Sequence, residues 1–426
     1  MSRDYTEDMG RLYGTDVDRL SCCRIVTLQT NDSCNLACTY CYQKCKGNRI
    51  MQKETAKEII DYLFDMYNAD DPDGFINHKT QSVVLEFIGG EPFLAIDLID
   101  WAVGYFWKTA LEKNHIWAST FRVSITSNGT KYFDEKVQQF IRRYRNRLSL
   151  SITVDGDKEM HDSCRVFQDG KGSWEAANAA QMHYHRVYGG HLGTKVTIAP
   201  ENLEYLDRII DYFIQNGYQE INANTIYEAD WTIEQAQVFY KKLKIVADKL
   251  LSLEKEIPCS LFHKDFFKPL PPEENQNWCG GNGLMLAFDP DGDAYPCLRY
   301  MESSLNGERK PLRIGNSRSG IYQTREEKEI RKELSEITRR SQSTDECFNC
   351  PVAAGCSWCT AWNYQKFGTA NKRDTASCWM HKARSVANYY YWSKKGEKID
   401  LCLPYVDLIR IVSETELKEL LEGSEE

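Results

Sequence analysis

The sequence predicts an α/β protein: a parallel sheet with helical crossovers, followed by a separate cysteine-rich domain. Three observations predict it. Apolar, β-branched runs alternate with helix-period stretches from residue 24 to about 245. Polar or glycine-rich turns follow several of those runs, at the strand end that holds the ligand in α/β sheets and barrels. Of sixteen cysteines, three fall in 34–41 and seven in 279–378.

The run 24–28 reads as the first strand, and Asn31-Asp32-Ser33 as the turn leaving it. Residues 53–68 carry apolar side chains at helical spacing, and a polar loop at 70–74 ends that helix. Residues 82–88 form a buried-strand run ending in Gly89-Gly90-Glu91-Pro92. Two glycines at a strand end let the backbone approach a ligand closely, although a plain glycine turn is the alternative. A helix over 95–112, a strand over 120–126 ending in Ser127-Asn128-Gly129-Thr130, and a helix over 133–145 follow. The strand at 148–154 ends in Asp155-Gly156, with His161-Asp162 and Arg165 shortly after. Residues 195–198 give a strand, 204–216 a helix, 220–226 a sixth strand and 241–256 a long helix. Right-handed crossovers then follow from the alternation.

Composition excludes several classes. The chain of 426 residues is 42% hydrophobic and 27% charged, as expected for globular domains, and its net charge of −9 gives no footprint for nucleic acid. The start is polar and acidic, and no run approaches the roughly 20 apolar residues of a membrane span. A cytoplasmic location is expected, where thiols stay reduced and serve as metal ligands more readily than as disulfides.

Cys34-Asn-Leu-Ala-Cys38-Thr-Tyr40-Cys41 organises the chain. Three close thiolates can wrap a [4Fe–4S] cube and leave one iron open for an outside ligand. A zinc half-site or a disulfide pair are the alternatives. The CxxxCxxC spacing with Tyr40 before the last cysteine resembles that of the radical S-adenosylmethionine (SAM) enzymes. That resemblance implies a partial (β/α)6 barrel, a fourth iron chelating the methionine moiety of SAM, and a 5′-deoxyadenosyl radical. It implies that the backbone and Glu of Gly89-Gly90-Glu91-Pro92 receive the methionine ammonium, which suits a carboxylate beside a cation. By likeness to anaerobic sulfatase-maturing enzymes, Thr153 contacts the SAM ribose and Arg165 its carboxylate. Asn128 is a further pocket candidate, with an Asn-Gly turn as its plain alternative.

The second cysteine field follows a linker at Pro269-Leu-Pro-Pro-Glu-Glu. Cys279 and Cys297 flank two apolar runs joined by Asp289-Pro-Asp-Gly-Asp293, a hairpin signal that brings the two thiols together. Cys347, Cys350, Cys356, Cys359 and Cys378 come next. Zinc ribbons usually space their CxxC pairs about 15–20 residues apart, wider than here, and seven thiols exceed one zinc. The set resembles the SPASM extension of radical SAM maturases, which carries two auxiliary [4Fe–4S] clusters. That implies Cys279, Cys297 and Cys359 on the first and Cys347, Cys350, Cys356 and Cys378 on the second. The spacing between Cys356 and Cys359 is one residue shorter than the family's. No cysteine lies between 260 and 278, so the first auxiliary cluster is expected to keep an open iron, with the distant Cys259 as the alternative fourth ligand. Cys22, Cys23, Cys45, Cys164, Cys259 and Cys402 read first as small hydrophobes.

The expected organisation is an N-terminal extension (1–23), the barrel (24–245), a linker with helix (246–275), the auxiliary-cluster domain (276–385) and a C-terminal helical segment (386–426). Overall likeness points to maturases of short cysteine-rich precursor peptides with CXXX repeats. The expected reaction is a cysteine thioether crosslink made through a radical on the peptide. Formylglycine formation or a carbon–carbon crosslink are the alternatives, Asp291 and Asp293 being guesses for a base, and an iron–sulfur electron carrier is the alternative class. The resemblance also implies a flavodoxin- or ferredoxin-type reductant. Only 33 residues precede Cys34, fewer than a peptide-recognition domain needs, so a separate leader-recognition protein or the enzyme's own surface would bind a leader.

Overall fold

The computed structural model describes residues 22–189, 192–277 and 279–422. The expected N-terminal extension up to residue 21, Trp278 and residues 423–426 lie outside the described residues.

Strand β1 (Cys23–Gln29) pairs parallel with β2 (Ser82–Ile88), in register from Cys23↔Ser82 to Gln29↔Ile88. β3 (Arg122–Ser127) and β4 (Leu148–Ile152) continue the parallel run. The connections are helical: α1 (Lys53–Ala69), α2 (Ile96–Glu112) and α3 (Glu135–Tyr144). α1 buries Ile59, Ile60, Leu63 and Phe64, a helical stripe that packs with Val26, Leu85 and Val123 of the sheet in one core. The β3 run starts two residues later than expected, because residues 117–120 close a helical turn first.

β5 (Gly193–Ile198) and β6 (Glu220–Thr225) pair parallel with each other, after α4 (Lys158–Cys164) and α5 (Trp174–Tyr188). Among the described residues no ladder joins β4 to β5, so the six barrel strands stand as four plus two. The Asp155 side chain spans the gap: its Oδ1 accepts the Thr197 amide at 3.0 Å. A second core forms around β5 and β6 with α6 (Leu206–Gln215), α7 (Ile233–Leu251) and the C-terminal helices. α7 begins eight residues before the expected 241. Thr232 and Gln235 form a capping box there, and the helix ends at Leu251.

The hairpin is as expected. β7 (Met285–Phe288) and β8 (Asp293–Tyr295) are antiparallel, and Asp289 Oδ1 accepts the Asp291 and Asp293 amides within the turn. β7 also pairs parallel with β1, so the hairpin extends the barrel sheet. Arg49, from the loop after β1, ties the joint by bridging Asp32 at 2.7 Å and Asp291 at 2.8 Å. Two short strands, β9 (Gly315–Asn316) and β10 (Gly320–Ile321), finish the edge. Then come α8 (Arg325–Ser335), α9 (Thr360–Phe367), α10 (Cys378–Lys394), α11 (Tyr405–Ile411) and α12 (Glu414–Glu422). Among the described residues no helix is long and apolar enough to cross a membrane.

Arg339 fastens the linker to the cysteine-rich loop. It is buried and donates to the carbonyls of Glu274, Phe348 and Pro271, each at 2.8 Å. Arg339→Ala leaves three carbonyls short of a donor, at about 1 kcal/mol or more each, so we expect a loss of about 3–5 kcal/mol. Denaturant unfolding of the two proteins checks this, and a loss under about 1 kcal/mol would show the linker is held by other means.

Candidate active site

The loop after β1 is clamped from both sides. On one side, the Gly90 amide donates to the Asn31 carbonyl at 3.1 Å and the Glu91 amide to the Ser33 carbonyl at 2.9 Å. A Cβ on Gly90 would overlap the Ser33 carbonyl and stand 2.7 Å from the Cys34 nitrogen, and one on Gly89 would meet the Asn31 carbonyl oxygen at 2.9 Å. Both glycines are therefore required for contact between the β1 and β2 loops. On the other side, the Ala37 amide donates to the Val166 carbonyl at 2.8 Å and the Thr39 amide to the Cys164 carbonyl at 2.9 Å. A cleft of about 490 Å³ opens at the start of the loop, lined by Ser33, Cys34, Asn35, Leu94 and Phe167 among others.

Glu91 is 1% exposed, and its carboxylate accepts three bonds: from Ser127 Oγ at 2.7 Å, the Asn128 amide at 2.8 Å and the Phe93 amide at 3.0 Å. Burial raises its pKa, and these donors oppose the shift. The side chain thus fixes the β2 and β3 loops to each other, and Pro92 starts the turn that follows. Asn128 lies beside the first cysteine, with Nδ2 3.9 Å from Cys34 Sγ and 2.9 Å from Asn35 Oδ1. The Thr153 amide donates to the Ser127 carbonyl, placing that residue on the same rim.

A buried polar chain runs behind the loop. Tyr40 donates its hydroxyl hydrogen bond to Asp155, and Arg165 Nη1 donates to the Tyr40 oxygen at 2.9 Å. Arg165 Nε is buried without a partner. Buried donors are normally satisfied, so this atom marks a place for an added acceptor such as a carboxylate. The charge of Arg165 also acts on Cys38, whose thiol burial pushes up to about 11. His161 accepts the Asp155 amide at Nδ1 and contacts Ser173 Oγ at 3.0 Å through Nε2. The sequence marks Asp155-Gly156 and the His161-Asp162 pair as landmarks before Arg165 and assigns neither Asp155 nor His161 a role.

Burial lowers His161 to about 3, with Arg165 and Lys158 adding repulsion. The unfolded chain binds a proton below about pH 6.5 that the folded chain refuses, so stability is complete above that pH and is lost as pH falls towards 3. The slope from this group is about 1.4 kcal/mol per pH unit. His161→Asn, which keeps an acceptor for Asp155, is expected to flatten the acid side of the stability curve by that amount. Urea unfolding between pH 4 and 6 checks it, and parallel curves for the two proteins would exclude the assignment.

The remaining thiols gather in two groups. A Cβ on Gly281 would stand 3.5 Å from Cys279 Sγ and 3.6 Å from Cys297 Sγ, and Cys359 acts electrostatically on Cys297. Cys279 Sγ is 3.2 Å from Thr360 Oγ1. Arg299 lies against this group, ion-paired with Glu228 and over the Tyr42 ring at 4.7 Å. Tyr42 in turn senses both Cys41 and Cys297, so it stands between two thiol groups. Cys347, Cys350, Cys356 and Cys378 form the other group, with Arg373 Nη2 2.9 Å from Cys356 Sγ. Burial pushes the Cys356 thiol up, but His381 and then Arg373 outweigh it and lower the thiol to about 6. Cys259 is in neither group. It sits in the second core, bridged to Ile221 beside β6, with Arg384 as its charged neighbour. Asp291 and Asp293 are also committed, to Arg49 and to Arg313 with Asn316.

All cysteines are free, and among the described residues no three His, Cys, Asp or Glu side chains converge as ligands of one metal ion. Sets of three, three and four buried or half-buried thiols, each beside a buried or half-buried arginine, fit polynuclear clusters whose own cationic charge would ionise the thiols.

No protein-family model matches the chain. It is 32% identical over 201 residues to the serine-type anaerobic sulfatase-maturating enzyme of Bacteroides thetaiotaomicron, covering 45% of this chain and 42% of that one. It is 23% identical over 293 residues to the cysteine-type enzyme of Clostridium perfringens, covering 64% and 73%. An uncharacterized protein of Methanocaldococcus jannaschii is 28% identical over 199 residues, covering 47% and 61%. The chain thus spans about half the length of several curated relatives it matches. Its fold is similar to that of anSMEcpe solved with AdoMet and the Cp18Cys peptide, with a TM-score of 0.60 at 16% identity over 95% and 99% of the two chains. It is also similar to Streptococcus suis SuiB bound to precursor peptide SuiA, with a TM-score of 0.53 at 12% identity over 88% and 81%.

Proposed function

We propose that this chain, whose fold is that of the radical SAM/SPASM maturases, reductively cleaves S-adenosylmethionine and uses the radical to modify a peptide. The observation that carries this is the separation of ten thiols into one loop set of three and two auxiliary sets, as described above. When bound, SAM on its cluster supplies a 5′-deoxyadenosyl radical that takes a hydrogen atom from the peptide. Cys34, Cys38 and Cys41 hold that cluster. Arg165, with its unpartnered Nε, receives the SAM carboxylate. Gly89 and Gly90 let the loop close, and Pro92 with Glu91 fixes the rim. The Glu91 carboxylate contributes fixed negative charge beneath the ammonium, since its acceptor sites are already in use. Tyr40 positions Arg165, while Asn128 and Thr153 line the pocket.

The finer reading is a cysteine thioether crosslink in a cysteine-containing precursor peptide. Its support is the three-thiol first auxiliary set, with Cys259 packed elsewhere, which leaves room for a substrate thiolate. The same reading keeps the division into a barrel over 24–245 and an auxiliary domain over 276–385, with a flavodoxin- or ferredoxin-type reductant. Formylglycine formation is the second reading, favoured by the sulfatase-maturating names of the relatives; neither Asp291 nor Asp293 is free to serve it.

The test is anaerobic reconstitution, iron and zinc analysis, then incubation with SAM, dithionite and a cysteine-containing peptide. About twelve irons without zinc are expected. A thioether product loses two hydrogens, keeps its sulfur and resists thiol alkylation. A formylglycine product loses sulfur and reacts with hydrazines. About four irons plus zinc would overturn the auxiliary assignment.

A further inference from the structure

The three arginines beside the thiol groups, Arg165 and Arg373 buried and Arg299 half-buried, are not equivalent. Arg165 has the Asp155 carboxylate across the Tyr40 hydroxyl. Arg299 is neutralised by Glu228. Arg373 is 8% exposed, and among the described residues no carboxylate pairs with it. The adjacent carboxylate, Asp374, is taken by Lys366 at 3.2 Å and by Trp362 Nε1 at 2.7 Å. Instead, Arg373 Nη2 donates to the Cys356 carbonyl at 2.8 Å and to Cys356 Sγ at 2.9 Å, under the Trp358 ring at 4.3 Å. The charges that act on it are those of Cys356, Cys347, Cys378 and Cys350.

A buried cation without a counter-ion is strongly unfavourable. Its placement is explained if those four thiols carry negative charge, as they do around an iron–sulfur cluster. The same contact acts on the cluster. Net positive charge nearby and N–H bonds to sulfur stabilise the reduced form and raise the reduction potential. The first auxiliary group receives less of this, because the charge of Arg299 is cancelled by Glu228.

We propose that Arg373 is a positioning residue that raises the reduction potential of the cluster on Cys347, Cys350, Cys356 and Cys378. The inference rests on the reading that both groups carry [4Fe–4S] clusters.

The test is a redox titration of the reconstituted, peptide-free enzyme followed by electron paramagnetic resonance, with iron counted beforehand. The second cluster's signal is identified by its absence in Cys378→Ala. Arg373→Met is expected to cut its reduced-to-oxidised ratio at least tenfold at a fixed potential, about 59 mV for one electron, with the other signals unmoved. Arg373→Lys restores most of the shift, and Arg299→Met leaves the second cluster unchanged. If Arg373→Met loses that cluster, Arg373→Gln, which keeps an N–H donor without the charge, is titrated in its place. An unchanged potential in the variant that retains the cluster overturns the proposal. Fewer than about twelve irons in the native protein would instead overturn the underlying cluster reading, and the count precedes the titration.

Discussion

Gly90→Ala is expected to abolish SAM cleavage while leaving the fold in place. The added methyl would overlap the Ser33 carbonyl and press on the Cys34 nitrogen at 2.7 Å. Both obstacles are main chain, and the main chain there is held by the Asn31 and Ser33 carbonyls, which accept the Gly90 and Glu91 amides. Relief requires the first cysteine loop to move by about an ångström. A shift of that size in a reacting site typically costs about a hundredfold in rate. We therefore expect at least a hundredfold loss of 5′-deoxyadenosine formation and a fall of about four irons per chain, with an unchanged far-UV spectrum. Gly104→Ala is the control, because its methyl would meet only the Tyr144 hydroxyl at 3.5 Å inside α2. A Gly90→Ala enzyme as active as the control would show that the loop does not need this approach.

Iron counts in paired cysteine variants carry the second large effect. Cys359→Ala and Cys378→Ala are each expected to lower iron from about twelve to about eight per chain. Cys297→Ala with Cys359→Ala loses no more than either alone, since both sit in one group. Cys359→Ala with Cys378→Ala falls to about four, since they sit in different groups. Cys259→Ala retains the full complement, because that thiol packs in the core beside β6. Loss of a cluster in Cys259→Ala would make it a ligand and close the first auxiliary site. A further drop in the Cys297 and Cys359 double variant would overturn the partition.

Local sequence was sufficient wherever local geometry decided the outcome. The run at 82–88 is a strand to the residue, because its apolar pattern is bounded by a polar loop and a Gly-Gly turn. The hairpin at 285–295 followed from its Asp-Pro-Asp-Gly-Asp turn. The spacing of Cys34, Cys38 and Cys41 singles out the loop after β1, and the other seven thiols lie in the two groups described above. α7 starts before the apolar stripe at 241–256 because the capping box of Thr232 and Gln235 closes its first turn eight residues earlier. α5 went unread because it buries mainly Ala177, Ala180 and Gln181, too small and mixed to mark a stripe. Asp155, Glu228, Arg299 and Arg373 were illegible for another reason. Each acts on a partner far along the chain or beyond a turn, and spacing in sequence carries no trace of such contacts.

The gap between β4 and β5 has a mechanical consequence. Where strands share a ladder, separating them breaks a row of backbone bonds together. Here the two halves of the barrel meet without one, and the Asp155 carboxylate, held by Tyr40 on one side and the Thr197 amide on the other, acts as a latch across the seam. Widening this seam stretches side-chain bonds, the Asp155 latch and the pairs of Arg208 with Asp157 and Glu159, and no row of backbone bonds, so the aperture can breathe without unfolding either half. The same latch ends on the tyrosine of the first cysteine loop, so an opening at the seam tugs directly on the loop where the radical would be generated. Solvent exchange at the Thr197 amide reports how often the latch lifts.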